Sequence, residues 1–186
     1  PVRLRCAATR SPPLPDDIPQ IVWRRGLDIN PLDVQDAEDS RWLLSLVWPE
    51  HVERRERLAA AIELARSREP RVSRGDLVTD LPALITEVPS EALLVIFHTA
   101  VLVYVNEVGR RRFAHVLREA SKKRDIVWIS NESAGVVPEI TALAPPVRRA
   151  DKLLGRTLFR DGERRDKFLA VAHPHGAELR WYAETG

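Results

Sequence analysis

The chain has 186 residues, 44% of them apolar and 30% charged, with 29 basic side chains against 27 acidic ones. That suffices for one domain with a sizeable core, and the near balance of signs argues against the concentrated basic surface of a nucleic-acid binder. A single cysteine, Cys6, excludes an internal disulfide and a zinc site built from cysteines, and no apolar run approaches the roughly 20 residues of a membrane span.

These features are expected of a protein in the reducing cytoplasm. Pro1 opens a sequence that contains no methionine, as expected of a piece of a longer protein. Residues 1–20 read as an extended connector region. Val2, Leu4 and Cys6 alternate with Arg3 and Arg5, the period-two pattern of a half-buried strand. The run Ser11-Pro12-Pro13-Leu14-Pro15 then removes backbone donors and favours an extended path. A second strand is expected over Ile18–Leu27, with Gly26 near its end, leading into the turn Asp28-Ile29-Asn30-Pro31-Leu32-Asp33.

Asp39 or Ser40 is placed to cap a helix with an apolar face of Leu43, Leu46 and Val47. Val52–Arg68 has the helical stripe Leu58, Ala61, Ile62 and Ala65, with Pro70 as its stop. Arg71–Leu77 reads as a short strand closing on Gly75-Asp76, and Asp80 as the cap of a short helix containing Leu81, Leu84 and Ile85. Leu93–Phe97 lacks polar alternation, as expected of a central strand covered on both faces. Asn106 can cap a helix with the core stripe Phe113, Val116, Leu117 and Ala120. Asp125–Ser130 is another buried strand, ending at Asn131-Glu132. Asp161-Gly162 is a turn signal, and Lys167–Ala172 and Glu178–Tyr182 flank Pro174-His175-Gly176 as a terminal antiparallel hairpin. This order predicts a single α/β domain over residues 1–186, with a mostly parallel sheet and helices on both faces.

Arg25-Gly26-Leu27-Asp28, Pro31-Leu32-Asp33, Val47-Trp48-Pro49-Glu50, Phe97-His98-Thr99-Ala100 and His173-Pro174-His175-Gly176 fall in an order that resembles the bacterial family called domain of unknown function 2332. Members of that family resemble class I methyltransferases in a longer N-terminal portion with a glycine-containing strand and loop, to which nothing in this sequence corresponds. The resemblance implies that residues 1–186 are the C-terminal part of a methyltransferase-like Rossmann fold lacking its first strand and glycine loop. The terminal hairpin would supply its antiparallel strands.

The same resemblance implies S-adenosylmethionine as cofactor and a small or unidentified methyl acceptor as partner. Asp28, at the end of the second strand, is the candidate for the ribose hydroxyls, since one carboxylate can accept both protons. A turn residue stabilising its own backbone is the competing reading. Asp76 is the candidate for the adenine end, and a Gly-Asp turn its alternative. His98, Tyr104 and Glu132 form the candidate catalytic set: His98 leaves the central strand as a general base or as a member of a structural hydrogen-bond network. Asp33 reads as a cap, and Glu50 as part of a packed corner. His173 and His175 read as structural, with no metal site assigned. Two alternatives stay open: a non-catalytic scaffold on the same fold that self-associates through an unpaired sheet edge, and metal-dependent hydrolysis by Asp28, Asp33, Glu50 and Asp76.

Overall fold

Parallel strands cannot be joined by a tight turn; each pair requires a crossover of about a dozen residues or more. Among the described residues, two parallel pairs of consecutive strands are joined by such a crossover, one in each of two compact units. In the computed structural model the described residues are 2–68 and 71–182. One unit is drawn from Pro1–Leu4 and Trp23–Leu81, the other from Arg5–Val22 and Pro82–Gly186.

In the first unit, strand β2 (Gly26–Asp28) pairs in parallel with β3 (Val72–Arg74), placing Asp28 opposite Arg74. Helices α1 (Ala37–Ser45) and α2 (Val52–Arg68) form the crossover. Asp36, rather than Asp39 or Ser40, caps α1: its carboxylate accepts from the backbone N–H of Glu38 at 2.6 Å and of Asp39 at 3.1 Å. Asp39 instead accepts from Asp33 N–H at 2.8 Å, and Ser40 is buried one turn further on. Arg66 fastens the loop before α1 onto α2, donating from Nε to Val34 O at 2.7 Å and from its second terminal nitrogen to Ser40 Oγ at 3.0 Å. The helix stop expected at Pro70 lies outside the described residues.

In the second unit, β4 (Leu94–Thr99), helix α4 (Glu107–Ala120) and β5 (Ile126–Ser133) form a β-α-β crossover. Asn106 caps α4 by accepting from Gly109 N–H at 2.8 Å, as the sequence suggests. Helix α5 (Pro138–Leu143) then returns the chain to β6 (Lys152–Arg160), which pairs antiparallel with β5. Strands β7 (Glu163–Ala172) and β8 (Glu178–Trp181) continue the meander, and β1 (Ala7–Thr9) closes the far edge in parallel with β8. The six strands lie in the order β1-β8-β7-β6-β5-β4.

This sheet is mixed, which corrects the expectation of a mostly parallel one. Two of its five pairs are parallel and three are antiparallel. The cause is β6, a strand that the sequence reading omits. Asp161 and Gly162, both at positive φ (52° and 79°), form a two-residue hairpin loop of the kind whose twist suits antiparallel neighbours. The C-terminal hairpin is thus the second half of a three-stranded meander. Two further boundaries move. The N-terminal ladder starts at Ala7, after the expected Val2–Cys6 alternation, and the expected Ile18–Leu27 strand shortens to Gly26–Asp28.

Within the second unit α4 and α5 cover the same face of the sheet, not opposite faces. Phe113 of α4 meets Trp128 edge-on, with ring centroids 5.4 Å apart. Trp128 pairs with Thr157 and Ser130 with Gly155, so these four share a face. Ile140 of α5 sits over Gly155, where a β-carbon would come within 2.6 Å of two Ile140 carbons. Leu117, Ile126, Ile140 and Phe159 are fully buried on this side.

Gly155→Ala tests that close approach. Overpacking against the buried Ile140 is expected to lower unfolding stability by about 1–3 kcal/mol, and Ile140→Val in the same chain to recover part of it, read from urea midpoints.

Candidate functional site

The carboxyl ends of β4 and β5 carry the densest polar network of the second unit. Strand alternation places His98 of β4 with Trp128, Ser130 and Glu132 of β5 on the helix-covered face. Glu132 is 1% exposed. Its Oε1 faces three donors: His98 Nδ1 at 2.8 Å, Val101 N–H at 2.8 Å and Leu102 N–H at 2.9 Å. Its Oε2 is buried with no hydrogen-bond partner.

The same contacts determine the state of His98. Indole Nε1–H can only donate, and Trp128 Nε1 lies 2.8 Å from His98 Nε2. Nε2 therefore accepts, and Nδ1 carries the proton that it donates to Glu132. His98 is held as the neutral Nδ1–H tautomer, with both nitrogens engaged and its ring edge-on to Phe113. Acting as a base would require the Trp128 bond to open.

Glu132 in turn shapes the segment after β4. Ala100 has φ of 52°, a left-handed conformation that costs a non-glycine residue roughly 1–2 kcal/mol. The chain then makes a single 3-10 turn, Leu102–Tyr104. Glu132 accepts from the amino end of this turn. At the carboxyl end, Arg110 Nε donates to Leu102 O at 2.9 Å and Val105 O at 2.7 Å. An anion at the N–H end and a cation at the C=O end match the turn's dipole. Tyr104, which this clamp presents, is 88% exposed.

Burial alone would raise the Glu132 carboxyl. The hydrogen bonds from His98, Leu102 N–H and Val101 N–H outweigh it and hold the group below the ordinary glutamate value.

In the first unit Asp28 ends β2, and Asp76 lies two residues beyond β3, at the same carboxyl edge of the pair. Asp28 Oδ1 accepts from Asn30 N–H at 2.8 Å. Asp76 Oδ1 accepts from Val78 N–H at 2.7 Å and Thr79 N–H at 3.1 Å. Each carboxylate thus stabilises its own turn through one oxygen, and among the described residues no hydrogen bond reaches the second oxygen of either. Gly75 lets the β3 exit pass Leu27, whose Cδ1 would stand 2.7 Å from an added β-carbon.

Asp80 accepts from Asp76 N–H at 2.7 Å, back toward the turn before α3 (Leu81–Thr86). Asp33 accepts from Gln35 N–H at 2.8 Å, and Glu50 is exposed. His173 and His175 stand in the β7–β8 turn, where His173 Nδ1 accepts from His175 N–H at 3.3 Å. Among the described residues, no three His, Cys, Asp or Glu side chains are grouped to hold a metal ion.

Trp128, Ala100 and Arg110 are the members of the β4–β5 site that the sequence reading omits. The period-two pattern of β5 already puts Trp128 on one face with Glu132. Its bond to His98 also needs the β4–β5 register, which no local pattern supplies. A groove of about 800 Å³ between α3 and α4 is lined by Ile85, Val88, Val116 and Lys123 among others and contains none of the candidate residues.

The fold and site define a mixed α/β protein with polar groups gathered at the carboxyl ends of its parallel pairs. The chain belongs to the family described as an uncharacterised protein conserved in bacteria, DUF2332, whose model matches residues 1–181. No curated protein matches the chain, and no solved structure does. No helix among the described residues is long and apolar enough to cross a membrane.

Two outcomes are expected of this network. Nitrogen-detected NMR should find His98 as the Nδ1–H tautomer, and Trp128→Phe should abolish that fixed preference. The second concerns acid. A carboxyl depressed in the folded state gives stability that is complete above its unfolded value, about 4.3, and is lost as pH falls through the lower folded value. Urea midpoints should fall with acidification through that window, and Glu132→Gln should be less stable near neutrality with a shallower acid decline.

Proposed function

We propose that this chain binds an adenosine-bearing ligand at the carboxyl edge of β2 and β3, as an S-adenosylmethionine-dependent, methyltransferase-like domain. One observation carries the reading. Two adjacent parallel strands lead to carboxylates, Asp28 at the end of β2 and Asp76 two residues beyond β3, each with one oxygen committed to its own turn and one uncommitted among the described residues. Ligands of open α/β sheets bind outside the carboxyl ends of their strands. A vicinal diol offers two O–H donors, which a carboxylate such as Asp28 can accept together. Asp76, held by Val78 and Thr79 N–H, presents its second oxygen to an amino group.

Bound S-adenosylmethionine would supply a methyl group on a sulfonium. The residues of this chain contribute binding and orientation. Asp28 and Asp76 hold the nucleoside end. In the second unit, Tyr104 offers an exposed phenol on its clamped turn. His98 and Glu132 act in this reading by holding that turn in place. Transfer of this kind depends mainly on in-line positioning.

The engaged nitrogens of His98 also favour a second reading, in which the same fold binds its ligand without chemistry. Both readings share the Asp28–Asp76 edge.

Titration calorimetry with S-adenosylmethionine and with adenosine tests that edge. Asp28→Asn and Asp76→Asn keep the oxygen that accepts from the turn, so folding should persist. Each should weaken binding by about 10- to 100-fold, as expected for loss of a hydrogen bond to a charged group of about 1.5–3 kcal/mol. Failure of the unaltered chain to bind either compound would sink the proposal.

A further inference from the structure

Among the described residues, strand β4 stands at one end of the six-stranded sheet, with β5 as its only partner strand. Its sequence is that of an interior strand. Leu93-Leu94-Val95-Ile96-Phe97-His98-Thr99 contains no Asp, Glu, Lys or Arg, no proline and no glycine. Leu94, Ile96 and His98 turn toward the helix-covered face. On the other face Val95 is 48% exposed and Phe97 78%, with Leu93 just before them at 63%. Val127 and Ile129 of β5 continue that face, half-buried.

Exposed edges are normally protected by charge, shortness, proline or a bulge. The other strand ends of this chain follow that rule. At the opposite edge, β1 is three residues long and lies between Arg5 and Arg10. In the first unit, β2 follows Arg24-Arg25, and β3 lies between Arg71 and Gly75 with Arg74 at its end. Among the described strands, β4 is the edge that carries none of these devices.

We propose that β4 is a self-association edge: two copies of this chain pair β4 antiparallel to β4 about a two-fold axis, joining the two sheets into one. The strand's own pattern suits this isologous contact. With Ile96 opposite Ile96 of the second copy, Val95 faces Phe97 and Phe97 faces Val95, so two aromatic–β-branched cross-strand pairs form on the exposed side. Leu94 faces His98 on the covered side. No like charges are brought together, because the strand has none. A two-fold axis normal to the sheet keeps the apolar face of one copy continuous with that of the other, and pairing satisfies the backbone groups that the edge leaves unpaired. The contact as proposed uses residues of the second unit alone.

Light scattering coupled to size exclusion tests the contact on the full 186-residue chain. The unaltered protein should run at twice its 21.1 kDa mass. Phe97→Lys and Val95→Lys, both on the exposed face and outside the buried core, should each shift it to the single-chain mass with an unchanged far-ultraviolet circular dichroism spectrum. In a Cys6→Ser background, Ile96→Cys should form an intermolecular disulfide on mild oxidation, since the register places the two positions opposite each other. A monomer for the unaltered chain at every concentration would overturn the proposal. So would a dimer that both lysine variants leave intact.

Discussion

The second unit depends on one buried carboxylate. Glu132 lies one residue from the carboxyl end of β5 with almost no solvent contact, where an ionised group is tolerated only if hydrogen bonds replace its water. Its Oε1 gathers the His98 ring and two consecutive backbone N–H groups. Those three donors come from the end of β4 and from the turn that follows it. A single oxygen thus ties the parallel pair together and sets the path by which the chain leaves it. The left-handed Ala100 persists because the geometry on either side of it is fixed: its own N–H donates to Asn131 O at 3.0 Å, and the next two N–H groups belong to Glu132.

The network also specifies a proton position without any catalytic partner. A donor-only indole on one side of His98 and a carboxylate on the other leave a single arrangement in which every contact is favourable. Both ring nitrogens are engaged by the chain's own groups. A histidine poised as a base usually keeps one nitrogen free for the reacting group; this one does not. The exposed member of the region is Tyr104, and the buried pair acts on it through the backbone. Arg110 completes the clamp from the other end by binding carbonyls of the same turn. A buried carboxylate thus holds one end of the turn and a half-buried guanidinium the other, with the aromatic hydroxyl exposed between them.

Long periodic segments are legible in the sequence for a simple reason: their signal is local. Helix α2 spans the expected Val52–Arg68, Asn106 caps α4, and β4 and β5 arise where continuous apolar runs predict them. Strand β6 is not legible, because the residues it buries include Gly155 and Thr157. Gly155 is there to admit Ile140, and Thr157 bonds to Asp166 across the meander. Both are tertiary reasons, and they erase the apolar alternation by which a strand is recognised. The cap of α1 shifts to Asp36 because Asp33, Asp36 and Asp39 all compete for nearby N–H groups, and only the folded turn selects among them. Asp28 and Asp76 were visible as strand-end acids. Their engagement with Asn30 N–H and with Val78 and Thr79 N–H fixes the orientation in which each presents its remaining oxygen.

Strand β4 unites these themes because its two faces obey different rules. Its covered face is committed: Leu94, Ile96 and His98 lie beneath α4, and His98 is bound into the Glu132 network. Its other face carries Val95 and Phe97, residues that a half-solvated antiparallel strand would replace with polar ones. Sequence and position disagree at this strand more than at any other described strand. Such local conflict ordinarily marks a functional or interacting surface. The covered face cannot relieve it, since moving His98 would break both of its hydrogen bonds. Sliding the register by one residue would bury Phe97 but expel His98 and the partners that Glu132 depends on. The register is therefore fixed from the covered side, and the apolar residues on the open side remain where they are. Val95 and Phe97 thus stay on the open face because the covered face holds the register.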